Sequence, residues 1–212
     1  YTRNNVMLKK LTVIEGNIGS GKTTLSKKIA SEFEANLILE EFEENPFLSD
    51  FLVDQKVNPL GVELQFLIDR FHQLKSPVSN SKHTVADYFI EKSLVFSSNN
   101  LSKIEKDLFD SYYSVLFEKI TKPDLLVYLS VNSERLLKNI KKRGRKIEQD
   151  LTASYLESIH NSYLDYLKTK KNERVLILDV SSLDFVKNPI HYQLVKDTIL
   201  NYKELKTTEI IF

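Results

Sequence analysis

The fold is decided by residues 11–24, which read LTVIEGNIGSGKTT. The apolar run at 11–14 predicts a buried strand, and it leads directly into the pattern G-x-x-x-x-G-K-S/T at 16–23. A segment rich in Lys, Leu and Ala follows and predicts a helix. A strand, a glycine-rich turn and a helix in this order form a P-loop, whose backbone N–H groups bind phosphate at the helix N-terminus. The expected phosphate-binding residues are Gly16, Asn17, Ile18, Gly19, Ser20, Gly21, Lys22, Thr23 and Thr24.

Two side chains of this loop indicate its chemistry. Lys22 provides a positive charge for the β- and γ-phosphates, and the Thr23 hydroxyl can bind Mg²⁺. The sequence therefore predicts ATP and Mg²⁺ as cofactors. The alternative is a glycine-rich turn that carries its lysine by chance.

Further apolar runs predict the rest of the sheet. Buried strands are expected at 37–39, 125–129 and 175–178, with a weaker one at 84–89. Helical patterns separate these strands, and strands that alternate with helices predict a parallel sheet covered on both faces. We therefore expect an α/β fold, with a five-stranded parallel sheet and helices on both faces, in a single domain that spans residues 1–212.

The helix predicted at 59–74 has two informative faces. One is an apolar stripe that we assign to the core: Leu60, Leu64, Leu67, Phe71 and Leu74. Glu63, Phe66 and Arg70 recur on a neighbouring face. Other helices are predicted at 133–143 and 155–167, and a further one is marked by Leu101, Ile104, Leu108 and Val115.

Composition excludes several classes of function. The absence of cysteine rules out disulfides, thiolate metal sites and thiol nucleophiles. A net charge of +1 gives no long-range attraction to nucleic acid or to an anionic membrane. No apolar run approaches the roughly 20 residues of a membrane span. We expect a cytoplasmic protein whose partners are small molecules, without nucleic acid or membrane.

The chain resembles the deoxynucleoside kinase family in three motifs. These are residues 14–24, residues 39–47 (LEEFEENPF) and residues 143–149 (RGRKIEQ), and their order and spacing hold over roughly 11–200. The chain is similar in particular to the bacterial deoxyadenosine/deoxyguanosine kinase-like domain that is sometimes fused to a pterin pyrophosphokinase. The resemblance implies a P-loop kinase fold, a homodimer, and ATP-dependent phosphorylation of the 5′-hydroxyl of a deoxyribonucleoside, with a purine as the expected base. It also implies that the full-length chain could carry another enzyme domain.

The resemblance assigns roles on the acceptor side. Glu40 follows the carboxyl end of a predicted strand, where ligands bind in open α/β sheets, and is implied to be the general base for the 5′-hydroxyl. Arg143 and Arg145, in a lid at about 139–150, are implied to close over the transferring phosphoryl group, and Glu148 to bond the sugar 3′-hydroxyl. The simpler alternatives are a solvated acidic stretch around Glu40 and lid cations that complement the helix dipole.

The resemblance also completes the donor side. Asp87 ends the weak strand and is the expected carboxylate for Mg²⁺ opposite Thr23, unless it serves only as a helix cap. Asp184 and Phe185 resemble the loop whose backbone contacts the adenine of ATP. A solvated loop is the alternative there.

The predicted base-binding face departs from the family. The family places a glutamine seven residues before an arginine, whereas this chain has Glu63 before Arg70, with Phe66 between them for stacking. An ionised glutamate only accepts hydrogen bonds, and guanine offers adjacent N–H donors. We therefore expect deoxyguanosine to be preferred over deoxyadenosine, although a protonated Glu63 would serve adenine. The alternative is a surface face that binds nothing.

Other positions depart as well. Leu52 and Tyr88 stand where the family has a tyrosine and an arginine, and Asn139 replaces a lid arginine; Lys92 could restore the charge that Tyr88 lacks. These changes favour one alternative, a non-catalytic nucleotide-binding regulatory domain. A second, nucleoside monophosphate kinase, would need further phosphate-binding arginines near the acceptor. Several aromatic residues are expected in the core or in oligomer contacts: Tyr112, Tyr113, Tyr155, Tyr163 and Tyr166.

Overall fold

A computed structural model of the chain describes residues 8–41, 45–75 and 83–212. This part of the chain contains six strands, β1 to β6: Leu11–Gly16, Asn36–Ile38, Thr84–Ala86, Leu125–Ser130, Val175–Asp179 and Thr207–Ile211. It also contains eight α-helices, α1 to α8: Lys22–Glu32, Leu48–Val53, Pro59–Leu74, Lys92–Asn100, Lys103–Phe117, Ser133–Arg143, Ala153–Lys168 and Pro189–Asn201. A 3₁₀ turn at Lys146–Glu148 follows α6. Residues 42–44 of the motif at 39–47 lie outside the described residues.

The strands form one parallel sheet in the order β2-β3-β1-β4-β5-β6. The predicted α/β fold with a parallel sheet is confirmed, but the sheet has six strands and the prediction of five was wrong. The additional strand, β6, begins with two threonines and a glutamate, so only Ile210 and Ile211 at its end are apolar. Because β6 pairs only with β5 within the described sheet, its side chains can stay partly exposed.

The order of the strands brings distant residues together. β1 pairs with β3 on one side and with β4 on the other, and every residue of β1 and β4 is buried. The carboxyl ends of parallel strands meet at one edge of a sheet, where ligands bind. The residues that follow β1, β2 and β3 at this edge include Gly16, Glu40 and Asp87.

Helix α3 has the bounds predicted for it. Pro59 occupies its first turn, where a missing N–H costs nothing, and the Gly61 N–H donates to the Asn58 side chain at 3.2 Å. The predicted apolar stripe packs on the core. Among the described helices, none is both long and apolar enough to cross a membrane.

The helix predicted around Leu101 is in fact two helices, α4 and α5. Leu101 lies between them, and α5 begins with a capping box in which Ser102 and Glu105 bond each other's backbone. The apolar residues Ile104, Leu108 and Val115 face solvent, whereas Phe109 and Tyr113 form the buried side of α5. The periodicity located the helix, but it did not identify the face that packs.

Candidate functional site

The P-loop connects β1 to α1 as a closed turn. The Ser20 N–H donates to the Asn17 carbonyl at 3.1 Å. Gly19 and Gly21 adopt left-handed φ angles of 82° and 90°, which glycine allows at little cost. A Cβ at Gly21 would lie 2.8 Å from the Phe185 Cζ, so this glycine is also required by packing. The loop therefore has the tight backbone that phosphate binding requires.

Lys22 begins α1 beside this loop, and its Nζ donates to the Asn17 carbonyl at 3.3 Å. Burial lowers the pKa of Lys22 to about 8, with a further contribution from the nearby Lys92 ammonium. The carboxylates of Asp87, Glu40 and Glu15 oppose this shift. A phosphate at the loop would add negative charge and so favour the protonated lysine.

Asp87 links the P-loop to the segment after β2. The Thr23 hydroxyl donates to Asp87 Oδ2, and the Glu40 N–H donates to Asp87 Oδ1 at 2.9 Å. Three residues that are far apart in the sequence thus form one hydrogen-bonded group. Together, a hydroxyl and a carboxylate offer the oxygen ligands that Mg²⁺ prefers.

Glu40 is held by two cations. Arg70 donates from Nε and Nη2 to Glu40 Oε1 at 2.9 and 2.7 Å, and Lys92 Nζ donates to Oε2. Burial would raise the pKa of Glu40, but Lys92 and Arg70 outweigh it and hold the pKa well below its usual range. Glu40 is therefore an ionised, oriented carboxylate at neutral pH.

Glu63 lies deeper in the same cavity, with 1% of its surface exposed. Asn100 Nδ2 donates to Glu63 Oε1 at 2.8 Å, whereas the buried Oε2 has no hydrogen-bond partner within the described part of the chain. Burial raises the pKa of Glu63 to about 7, against the opposing effects of Arg70 and Asn100. The alternative of a surface face at Glu63 and Arg70 is wrong, because both side chains are buried.

The lid follows α6. Gly144 ends this helix with a left-handed φ of 73°, and the chain turns into the segment that carries Arg145 and Glu148. Arg143 Nη2 donates to Glu148 Oε2, and Arg145 Nη1 donates to Glu148 Oε1 at 3.4 Å. The buried Glu148 thus organises both arginines.

Two cavities meet at the P-loop. The first lies over Glu40 and is lined by Ile18, Lys22, Thr23, Lys27, Leu39, Glu40, Leu48, Phe51, Leu52, Val62, Glu63, Phe66, Arg70, Asp87, Lys92, Phe96, Asn100, Arg143, Arg145, Ile147, Glu148 and Tyr155. The second is lined by Gly19, Ser20, Gly21, Thr24, Val131, Arg135, Asn139, Lys142, Arg143, Val180, Leu183, Asp184, Phe185, Val186 and Lys187. Among the described residues, only Arg143 lines both. Arg143 therefore marks the boundary between the two cavities.

A comparison with models of protein families matches residues 12–203 to the family described as deoxynucleoside kinase. The chain belongs to the deoxynucleoside kinase family. Deoxyguanosine kinase from Bacillus subtilis (strain 168) is 32% identical over 188 residues, which cover 85% of this chain and 91% of that protein. Deoxyadenosine/deoxycytidine kinase from the same organism is 27% identical over 197 residues, 89% of this chain and 91% of that protein. The solved structure of deoxyadenosine kinase from M. mycoides with bound dATP has a TM-score of 0.77 and 24% identity, over 90% of this chain and 98% of that one.

The family, the kinase class and the fold predicted from the sequence are thus confirmed. The described residues show how this kinase arranges the predicted positions. Glu40, Lys22, Thr23, Asp87 and both lid arginines line the first cavity, together with Glu63, Phe66, Arg70 and Glu148. Asp184 and Phe185 line the second, where Lys28 Nζ donates to the Phe185 carbonyl at 3.0 Å and fixes the loop.

Arg70 makes contacts that the sequence pattern did not suggest. The pattern paired it with Glu63 for the base, but its guanidinium bonds Glu40 and donates from Nη1 to Ser93 Oγ at 2.7 Å. The spacing of seven along α3 placed Arg70 and Glu63 on one face correctly. Glu40 could not be anticipated as the partner because it lies 30 positions earlier and on a different element.

The positions that depart from the family have distinct environments in this kinase. Tyr88 is fully buried, donates to Gln73 Oε1, and is not among the described residues that line either cavity. Lys92 instead places its ammonium on Glu40. Leu52 lines the first cavity, and Asn139 Nδ2 donates to the Gly19 carbonyl at 2.9 Å. Lys92 therefore supplies, beside Glu40, the positive charge that Tyr88 lacks.

Sequence reasoning anticipated Lys92 but missed Phe96 and Asn100, the other two residues of α4 that line the first cavity. Lys92, Phe96 and Asn100 recur every four residues and line the first cavity along one face of that helix. This spacing is visible in the sequence and could have indicated the face. Tyr155, which was expected only in the core or in oligomer contacts, lines the cavity too.

Proposed function

We propose that the chain transfers the γ-phosphoryl group of ATP to the 5′-hydroxyl of a purine deoxyribonucleoside, with Mg²⁺. The observation that carries this proposal is the position of Arg143, shared by a cavity beside the P-loop and a cavity built around an ionised carboxylate. Phosphoryl transfer requires a donor site and an acceptor site joined by a cation at the transferring group.

The donor occupies the P-loop. Backbone N–H groups of the loop bind the phosphates, Lys22 neutralises their charge, and the loop of Asp184 and Phe185 holds the adenine. Thr23 and Asp87 hold Mg²⁺, which offsets the charge of the β- and γ-phosphates when it is bound. The Thr23 hydroxyl donates to the Asp87 carboxylate, so the two oxygens lie close enough together to bind one cation.

The acceptor occupies the first cavity, with its 5′-hydroxyl at Glu40. Arg70 and Lys92 keep this carboxylate ionised and oriented, so that it accepts a hydrogen bond from the hydroxyl. The hydroxyl proton passes to Glu40 as the oxygen bonds the γ-phosphorus and becomes more acidic. The arginines of the lid stabilise the negative charge of the transition state, and Glu148 orients both of them. Phe66 stacks on the base, and Glu63 forms hydrogen bonds with the edge of the base.

The principal test is phosphorylation of the four deoxynucleosides and their monophosphates with ATP and Mg²⁺. We expect the two purine deoxynucleosides to react, deoxyguanosine best at or above neutral pH, because an ionised Glu63 accepts from guanine. The Lys22→Ala variant supplies the blank. Turnover of monophosphates alone would establish the alternative acceptor, and ATP binding without turnover of any acceptor would establish a regulatory domain.

We also propose that the protein is a cytoplasmic homodimer that pairs through α5. This helix exposes an apolar stripe in which Ile104 is 84%, Leu108 47%, Tyr112 55% and Val115 60% exposed. Burying such a stripe against a second copy would remove apolar surface from water.

Sedimentation equilibrium at micromolar concentration is expected to give twice the mass of the chain. Val115→Glu, which places a charge in the stripe, is expected to give the monomer mass with an unchanged circular dichroism spectrum. Lys103→Glu at the start of α5 is the control for the added charge. A monomer mass for the unmodified protein would rule the dimer out.

A further inference from the structure

One buried carboxylate oxygen of the first cavity has no hydrogen-bond partner in the part of the chain that the structure describes. Glu63 Oε2 is buried and has no hydrogen-bond partner among the described residues, while Oε1 accepts from Asn100 at 2.8 Å. A buried polar atom left without a partner costs about 1–3 kcal/mol, and more if it is charged. In a cavity that receives a ligand, this cost indicates an oxygen that bonds the ligand.

Asn100 fixes which oxygen is available. The Asn99 amide donates to Asn100 Oδ1 at 2.8 Å, and the Tyr155 hydroxyl donates to the same oxygen at 3.5 Å. Both bonds orient the Asn100 NH₂ group towards Glu63. Glu63 Oε1 is thus always an acceptor from Asn100, and only Oε2 can change its role.

The charged and titratable groups that act on Glu63 lie on α3, on α4, on α7 and after β2. Arg70 lies on the same helix, Lys92 on α4 and Glu40 after β2, and Tyr155 on α7 stays neutral because burial raises its pKa. Arg70 and Lys92 are already engaged with Glu40. Burial therefore dominates, and the pKa of Glu63 is raised to about 7. Both protonation states are populated near neutral pH.

We propose, resting on the function proposed above, that the protonation state of Glu63 selects the purine: ionised Glu63 accepts from the N–H donors of guanine, and protonated Glu63 donates to N1 of adenine. Oε2 is the selecting atom, and Asn100 is a positioning residue that holds Oε1. A site that forms hydrogen bonds with one purine base disfavours the other base when that base would leave a buried polar group of the site without a partner. One cavity therefore serves two substrates according to pH.

The experiment measures kcat/KM for deoxyguanosine and deoxyadenosine at the same pH values, and the ratio of the two removes effects common to both substrates. Between about pH 6 and pH 8 the protonated and ionised fractions of a group with a pKa of about 7 each change about tenfold. The ratio of deoxyguanosine to deoxyadenosine is expected to rise about 10- to 100-fold over this range.

Three variants sharpen the test. Glu63→Gln, which cannot titrate, is expected to flatten the ratio. Asn100→Ala removes the bond that favours the ionised form, so the change in ratio is expected at higher pH. Asp69→Asn removes a carboxylate from α3 that does not line the cavity, and is expected to keep the wild-type profile.

Binding calorimetry gives a readout that is independent of turnover. In buffers of different ionisation enthalpy, deoxyadenosine binding is expected to take up protons and deoxyguanosine binding to release them. If both nucleosides are phosphorylated with a ratio that does not change with pH, or if Glu63→Gln keeps the slope, the inference is overturned while the proposed function stands. If neither nucleoside is phosphorylated, the proposed function itself fails.

Discussion

Replacing Glu40 with glutamine is expected to lower kcat for deoxyguanosine by about 10²–10⁴-fold, the range that general base catalysis supplies, while ATP binding stays close to that of the wild type. Glutamine keeps the shape of the side chain and an oxygen for Arg70, but it cannot take a proton from the 5′-hydroxyl. Steady-state kinetics with saturating ATP measure the first effect, and titration with a fluorescent ATP analogue measures the second.

The exposed neighbour Glu41 offers a matched control. Glu41→Gln removes the same charge from the next residue along the chain. Because the Glu41 side chain does not line the cavity, near-normal turnover is expected. A similar loss in both variants would assign Glu40 to the acidic stretch as a whole. Near-normal turnover in Glu40→Gln would exclude its role as the base.

The same substitution also affects stability, and this must be separated from chemistry. The side chains of Glu40, Arg70 and Lys92 are 12%, 3% and 7% exposed, so removing the carboxylate charge leaves two buried cations uncompensated. Removing one partner of a buried ion pair costs about 3–5 kcal/mol when nothing replaces it, and glutamine replaces it in part. A thermal unfolding curve of the variant identifies a temperature at which the variant is fully folded. The kcat values of the variant and of the wild type are then compared at that temperature.

Local patterns were sufficient for the P-loop, where we propose that the phosphate donor binds. The P-loop is a contiguous pattern whose strand, turn and helix each have their own signal, and the structure has all three in that order, although β1 extends to Gly16, two residues beyond the predicted strand. Helix α3 was equally predictable, since its apolar period, its Asn58 cap and Pro59 all agree. Where several local signals coincide, as in α3, the sequence predicts the bounds of an element.

The acceptor site depends on contacts that no local pattern contains. Glu40 meets Arg70 and Lys92 from three different elements, and Glu63 meets Asn100 from α4, 37 positions away. The pKa of Glu63 is raised because the side chain is buried. Burial is not expected of a glutamate from its residue type alone. The sequence therefore predicted residues that the fold brings into one cavity, while their partners and their charge states required the fold.

Replacing Arg143 with alanine is expected to lower kcat by about 10³-fold, within the range for removing one preorganised cation from a phosphoryl transition state. KM for the nucleoside is expected to change little, because the guanidinium acts mainly on charge that develops during transfer. Arg143→Lys keeps the charge but loses the planar fork, so an intermediate loss is expected. Rapid-quench measurement of a single turnover reports the chemical step directly.

A variant of Lys141 tests whether Arg143 acts on the transition state or only stabilises the end of α6. Arg143 and Lys141 both lie in the last turn of this helix, where either cation stabilises the helix dipole by about 0.3–1 kcal/mol. Lys141 is exposed and lines neither of the described cavities. Lys141→Ala should therefore share any loss of helix stability but keep kcat. Equal losses of kcat in the two variants would show that Arg143 acts only as a cation at the end of the helix. A loss of kcat confined to the Arg143 variant would place the transferring phosphoryl group where the two cavities meet.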